Sequence, residues 1–228
     1  MIMITANMKV SDIVKQLPKA ADIFRKNRID FCCGGDISLS EAIHEKSAPI
    51  ETLLEEINQL DNESSDGLGL DVQYLDNRSL INYIQNKYHK PLEEEFRNLM
   101  PYITKVAKVH GERHPHLIEM KTLVMKLRDE LIEHTKDEDD TVFPLIIEYS
   151  DNPTEELRAQ LQPHIDELES EHDGAGSMLK RLREITNDFT PPMDACGTYR
   201  VVYQRLAMLE RETFQHVHLE NNVLFERL

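Results

Sequence analysis

Apolar residues recur at three- and four-residue steps along most of the chain, the period of amphipathic helices rather than strands. Near the start, Val14, Leu17, Ala20, Ala21 and Phe24 keep that step, and Ser11-Asp12 can cap the first turn. Gly34-Gly35 interrupts the pattern just after Phe31-Cys32-Cys33. Ser38 or Ser40 can cap the next helix, and Pro49 opens another that should run to about Leu60. The stretch from Asp61 to Gly69 is polar and glycine-bearing, a linker by composition. The pattern therefore divides the chain into a small helical segment 1–60, a linker 61–76 and a second domain 77–228.

From Asn77 onward the helical period breaks in three places: Gly111 to Pro115, Asp151-Asn152-Pro153 and Thr190-Pro191-Pro192. Three breaks leave four long helices, at roughly 77–109, 116–149, 154–188 and 194–226. Connections this short make neighbours antiparallel, which predicts an all-α fold with an up-down-up-down four-helix bundle. Pro91 and Pro144 should kink the first two helices or mark their ends, and Pro163 blurs the start of the third.

Charge narrows the function classes. With 26 Lys+Arg against 42 Asp+Glu, the 228-residue chain carries a net −16, which disfavours contact with nucleic-acid phosphates. No apolar run approaches the ~20 residues that span a bilayer. The opening Met1–Ala6 lacks the basic and apolar regions of a secretory leader. Three cysteines, two of them adjacent, do not make an extracellular disulfide framework, so a reducing cytoplasm is expected.

Nine of the ten histidines lie in the second domain, and their numbers carry geometry. In an antiparallel hairpin, two residues share a height when the turn lies midway between them. The midpoint of His89 and His134 falls in the Gly111 break, that of His134 and His172 on Pro153, and that of His172 and His216 just after Pro191-Pro192. One imidazole per helix therefore reaches a common level, about 30 Å from those turns at about 1.5 Å per residue. Such convergence is what a metal site between bundle helices needs. Glu138 follows His134 by four residues and Glu220 follows His216 by four, which puts each pair on one helix face. Four imidazoles and two carboxylates are too many donors for one tetrahedral zinc. Mixed nitrogen and oxygen donors over two ions suit iron or manganese, with Glu138 and Glu220 as bridges.

The same rule sorts the other candidates. Glu93, four residues after His89, stays open as a ligand. His110, His114 and His116 lie in the first turn and should be solvated; His164 is far from the level, and His218 points away from His216 toward a second shell or the surface. Glu130 and Glu171 are either exposed helix charges or groups that line the cavity and orient a ligand. Gly174 and Gly176 either open space beside the metals or allow close helix packing.

The bundle resembles hemerythrin-like di-iron domains, through His134-Thr135-Lys136-Asp137-Glu138 with Thr141-Val142-Phe143-Pro144, through Glu171-His172-Asp173, and through His216-Val217-His218-Leu219-Glu220 with its continuation to Phe225. Joined to Ile29-Asp30-Phe31-Cys32-Cys33-Gly34-Gly35, it resembles the bacterial "repair of iron centres" family of iron–sulfur cluster repair di-iron proteins. The resemblance implies His89, His134, His172 and His216 as iron ligands, Glu138 and Glu220 as carboxylate bridges between two non-haem irons, and Glu130 and Glu171 beside them. Where the family often has Phe-Pro-Arg, this chain reads Phe225-Glu226-Arg227. The implied role is restoring clusters damaged by oxidative or nitrosative stress, with the labile di-iron site as iron source. Implied partners are damaged iron–sulfur proteins or cluster assembly proteins, and a homodimer fits the family.

Cys32-Cys33 should sit on an exposed loop freed by Gly34-Gly35. Adjacent Cα atoms, about 3.8 Å apart, lie below the usual disulfide range. The pair reads either as thiols that exchange metal or disulfides with a partner or as two buried small residues; reactivity would draw on Arg25, Lys26 and Arg28. Cys196 reads as structural. The alternative function is a di-iron protein that reduces nitric oxide or binds it or dioxygen; an iron donor is preferred over a turnover enzyme.

Overall fold

The computed structural model describes residues 3–43, 49–63 and 72–228. Among them the secondary structure is helical, with one isolated bridge between Lys9 and Ser38. The all-α expectation is met. Two compact units form, Met1–Asp76 with Phe214–Leu228, and Asn77–Thr213. Half of the expected linker, 64–71, lies outside the described residues.

The first unit holds α1 (Val10–Gln16), α2 (Ala20–Lys26), α3 (Leu39–Ile43) and α4 (Ile50–Glu63). Ile13, Phe24, Phe31, Leu39 and Ile57 bury their side chains together with Val217, and Phe214 packs against them. Each buried side chain of this size contributes about 1.5–3 kcal/mol. The start of α1 differs from the sequence reading. It begins at Val10 without a side-chain cap, and Ser11 is buried. The first amides are satisfied by backbone instead, Val10 N–H donating to Ile37 O at 3.0 Å and Ser11 N–H to Gly35 O at 2.9 Å. That pairing presses Gly35 against Ser11 and the Phe31 carbonyl, where an added Cβ would lie 2.9 and 2.7 Å from its neighbours. Ser38 does cap α3 and forms a capping box: its Oγ accepts from Glu41 N at 3.2 Å while Glu41 Oε2 accepts from Ser38 N at 2.9 Å.

The second unit contains α5 (Asn77–Ile84), α6 (Lys90–His110), α7 (His116–Asp137), α8 (Phe143–Asp151), α9 (Glu155–Ile185) and most of α10 (Gly197–Leu219). Cross-helix pairs fix the directions. Arg78 meets Asp151 at 2.8 Å, Glu119 meets Arg181 at 2.8 Å, and both Lys87–Glu212 (3.2 Å) and Glu95–Arg205 (2.8 Å) join α10 to the first helix of the bundle. Between the last two contacts the lower number rises from 87 to 95 as the higher falls from 212 to 205, the signature of antiparallel neighbours. Thr154 caps α9, its Oγ1 accepting from Leu157 N at 3.2 Å.

The prolines neither end nor break these helices. A π turn, Gln85–His89, precedes α6 and another, Glu138–Val142, precedes α8, and Pro91 and Pro144 sit in the first turn of the α segment that follows. A locally widened turn relieves the ladder exactly where proline has no N–H to give. Pro163 lies inside α9, whose start is fixed by Thr154.

One buried ion pair ties α9 to α10. Arg183 Nε donates to Glu210 Oε1 at 2.7 Å, and its terminal nitrogens reach Glu210 Oε2 and, at 3.1 Å, Asp188. Glu210 is fully buried. The same guanidinium lies 5.2 Å over the Phe189 ring and so braces Asn187, Asp188 and Phe189, three successive residues with φ of 51, 54 and 53°. Each left-handed residue costs about 1–2 kcal/mol. Replacing Arg183 by Leu strands the Glu210 charge, and a loss of about 3–5 kcal/mol in chemical denaturation is expected; a change below about 1 kcal/mol would deny the pair this role.

Candidate metal centre

Three of the four ligand-bearing helices change character where the sequence places a donor. His89 ends one π turn, Glu138 begins the second, and Glu220 begins a third, Glu220–Leu224. Glu138 and Glu220 keep the four-residue spacing of regular helix from His134 and His216, and the wider turn resets the register of the residues that follow each. His89, His134, Glu138, His172, His216 and Glu220 are all buried, the two carboxylates completely. Within Asn77–Thr213, His134, Glu138 and His172 offer one donor atom each within 4.8 Å of one another, and His89 and Glu138 do likewise; in the other unit His216 and Glu220 form a second such pair.

Hydrogen bonds outside the sets fix how the rings face. His134 Nδ1 donates to Glu171 Oε2 at 2.6 Å, and His89 Nδ1 donates to Asp139 Oδ1 at 2.8 Å. Gln85 Nε2 also donates to that Asp139 oxygen, at 3.0 Å. In neutral rings these bonds leave the lone pairs on Nε2. His89 Nε2 and His134 Nε2 each lie 3.4 Å from Glu138 Oε2, and His134 Nε2 lies 2.9 Å from His172 Nε2. Acceptor thus faces acceptor where His89 and His134 meet Glu138, an arrangement that a bound cation reconciles. Phe143 stacks on His89 with ring centroids 5.6 Å apart and keeps that side dry. The donor chemistry fits a divalent ion with mixed nitrogen and oxygen preference.

Asp139 is missing from the sequence reading. Its neighbour Glu138 was singled out by helical spacing, and consecutive helical residues face different ways, so only the π turn brings both to use. Glu171 combines features of both its readings, an exposed carboxylate that also accepts from His134 Nδ1; partial burial, with the Glu167 charge adding to it, raises its pKa. Glu130 is exposed and pairs with Lys126 at 3.3 Å, while Glu93 is exposed and pairs with Arg97 at 2.9 Å. An added Cβ on Gly174 would meet open space, so close helix packing does not require that glycine.

The thiol segment corrects the expectation of an exposed loop. Cys32 is buried and Cys33 half-buried. Both of their backbone N–H groups donate to Asp30 Oδ1 at 3.1 Å, and the two sulfurs lie 3.7 Å apart. The Cys33 contact, burial and the Asp30 charge push the Cys32 thiol well above its ordinary pKa. His218 and Asn222 hold this segment. His218 Nδ1 donates to Phe31 O at 3.1 Å and Asn222 Nδ2 to Cys32 O at 2.8 Å. His218 is thus neither a surface group nor a contact of the ligand sets; it alternates with His216 on the helix and faces the other way. His110, expected to be solvated, is also buried.

The chain belongs to the hemerythrin HHE cation-binding domain family, whose model matches residues 80–228. A second model, described as a domain of unknown function, DUF542, matches residues 6–61. Among curated relatives, the iron-sulfur cluster repair protein ScdA of Staphylococcus haemolyticus is 48% identical over 99% of both chains. The probable iron-sulfur cluster repair protein of Haemophilus influenzae is 31% identical over 98% of this chain and 97% of its own. The iron-sulfur cluster repair protein YtfE of an Enterobacter species is 31% identical over 96% and 94%. No helix among the described residues is long and apolar enough to cross a membrane.

Two outcomes follow from this geometry. Asp139→Asn should weaken metal retention about 10–100-fold in a chelator competition, because the imidazole loses its anionic acceptor; unchanged retention would remove Asp139 from the site. Burial lowers the pKa of His218 to about 4 from 6.5, against the opposing bond to Phe31. A depressed histidine pKa contributes stability that is complete above pH 6.5 and is lost as pH falls toward 4. Between pH 7.5 and 4.5 the metal-free protein should lose about 2–3 kcal/mol that a His218→Gln variant does not lose.

Proposed function

We propose that this protein restores damaged iron–sulfur clusters by supplying iron from a labile di-iron centre. His89, His134, His172 and His216 are read as its imidazole ligands, and Glu138 and Glu220 as its bridging carboxylates. The observation that carries the reading is the convergence of His89 Nε2 and His134 Nε2 on one fully buried carboxylate oxygen, Glu138 Oε2, with His172 beside them. The relatives named for cluster repair across the full length of the chain add to it. Iron, when bound, supplies the ions a damaged cluster lacks. This chain's own residues hold the rings in one tautomer through Asp139 and Glu171 and exclude water with Phe143. Iron(II) stands low in the order of divalent affinities, so such a site can retain it loosely. Ligand protonation and metal loss are linked, which makes release tunable.

The targets, on this reading, are iron–sulfur proteins in a bacterial cytoplasm. Of the thiol pair, half-buried Cys33 is the one placed to meet an incoming partner, with Cys32 behind it. The segment 1–60 then serves as the engaging domain and 77–228 as the metal bundle, joined through 61–76.

Freshly purified protein should contain two irons per chain, with a bridged signature in its Mössbauer spectrum. The holoprotein should reactivate a damaged cluster enzyme in iron-free buffer, and His134→Ala and Glu138→Ala should bring reactivation to background. Equal reactivation by metal-free protein would reject the reading. Steady-state consumption of nitric oxide with an electron donor, without iron transfer, would favour a redox enzyme instead.

A further inference from the structure

The second unit carries another nucleophile that the metal sets and the Cys32-Cys33 segment leave unused. Cys196 Sγ lies 3.3 Å from His110 Nε2. The thiol is exposed, and its imidazole partner is buried at 8% exposure against Tyr199, with ring centroids 5.5 Å apart. The two come from distant stretches, the end of α6 and the residue before α10, so the pairing is a product of the fold. Cys196 O accepts the first-turn bond from Arg200 N at 3.1 Å, which places the sulfur at the positive end of the 23-residue α10. The neighbouring imidazoles are committed elsewhere: His114 Nε2 to Asp194 at 3.2 Å, and His116 Nε2 to Tyr203 OH at 2.9 Å. A thiol open to solvent, a base within reach of its proton and a surface that holds the base are the parts of an activated nucleophile.

We propose that Cys196 and His110 form a reactive thiol–imidazole dyad, a modification site separate from Cys32 and Cys33, that takes up low-molecular-weight disulfides. The Cys196 proton passes to His110 Nε2 as Sγ bonds to one sulfur of the reagent. The reagent's S–S bond breaks, and its other half leaves as a thiolate that regains the proton from His110. Cys196 is oxidised to a mixed disulfide, one half of the reagent is reduced to a thiol, and excess thiol reverses the exchange.

The test treats the full-length, metal-loaded protein with oxidised glutathione at neutral pH and follows each cysteine by peptide mass. The adduct should appear at Cys196 first, roughly tenfold or more ahead of Cys33. His110→Gln should slow Cys196 about tenfold or more while leaving the Cys33 rate alone, and His114→Gln should leave both rates unchanged. Added imidazole should restore the rate in His110→Ala, a rescue that a purely packing role of the ring would not show. Modification at Cys33 before Cys196 in the unaltered protein would overturn the proposal. So would equal Cys196 rates with and without His110.

Discussion

Burying a carboxylate completely is costly unless positive charge stands beside it, and this protein buries two, Glu138 and Glu220. Imidazoles stand beside both, and those of His89 and His134, whose Nδ1 protons go to carboxylates, turn lone pairs rather than protons toward Glu138. The arrangement is coherent around cations, and much of the local structure serves to keep it so. Carboxylates on the far side of the His89 and His134 rings set their tautomers, an aromatic ring closes one flank, and π turns lie at His89, Glu138 and Glu220. Disorder in that outer layer would leave the same ligands present but aimed wrongly.

The last helix has a double assignment. His216 and Glu220 lie four residues apart on one face, and His218 and Asn222, each two residues further along, grip the backbone of Phe31 and Cys32. The thiol segment is therefore fastened to the same turns that carry two of the donors, by bonds that depend on a neutral, buried imidazole. The Asp30 carboxylate that organises both cysteine amides also keeps the Cys32 proton in place. A partner or an ion approaching this loop meets Cys33 first, and any change there bears on a segment held by side chains that alternate with ligands.

The interior of the bundle is otherwise apolar, and its exceptions are informative. Arg183 and Glu210 compensate one another while bracing a left-handed turn. At the head of α10, histidines and tyrosines pack as a group, with Tyr199 and Tyr203 buried and their hydroxyls 3.2 Å apart at His116. Cys196 lies there too, exposed beside the His110 ring.

Much of this was written in the order of residues. Helical period and three breaks determine four antiparallel helices, and the midpoint rule then brings His89, His134 and His172 to one height because helix rise is uniform and the connections are short. The glutamates follow from the four-residue spacing for the same reason. Tertiary structure decided what local rules do not carry. A π turn has no sequence period, so the inward aim of Asp139 was invisible, and so was the way Pro91 and Pro144 fit without ending a helix. Burial of Cys32, His218 and His110 depends on what packs over them from distant parts of the chain, and the composition of a loop is silent about that. The start of α1 shows the same limit, since Ile37 and Gly35 carbonyls displaced the local cap that Ser11-Asp12 offered. Sequence determined which residues could meet because helix geometry is regular; the fold decided which way they face because orientation is set by contacts between residues far apart in the chain.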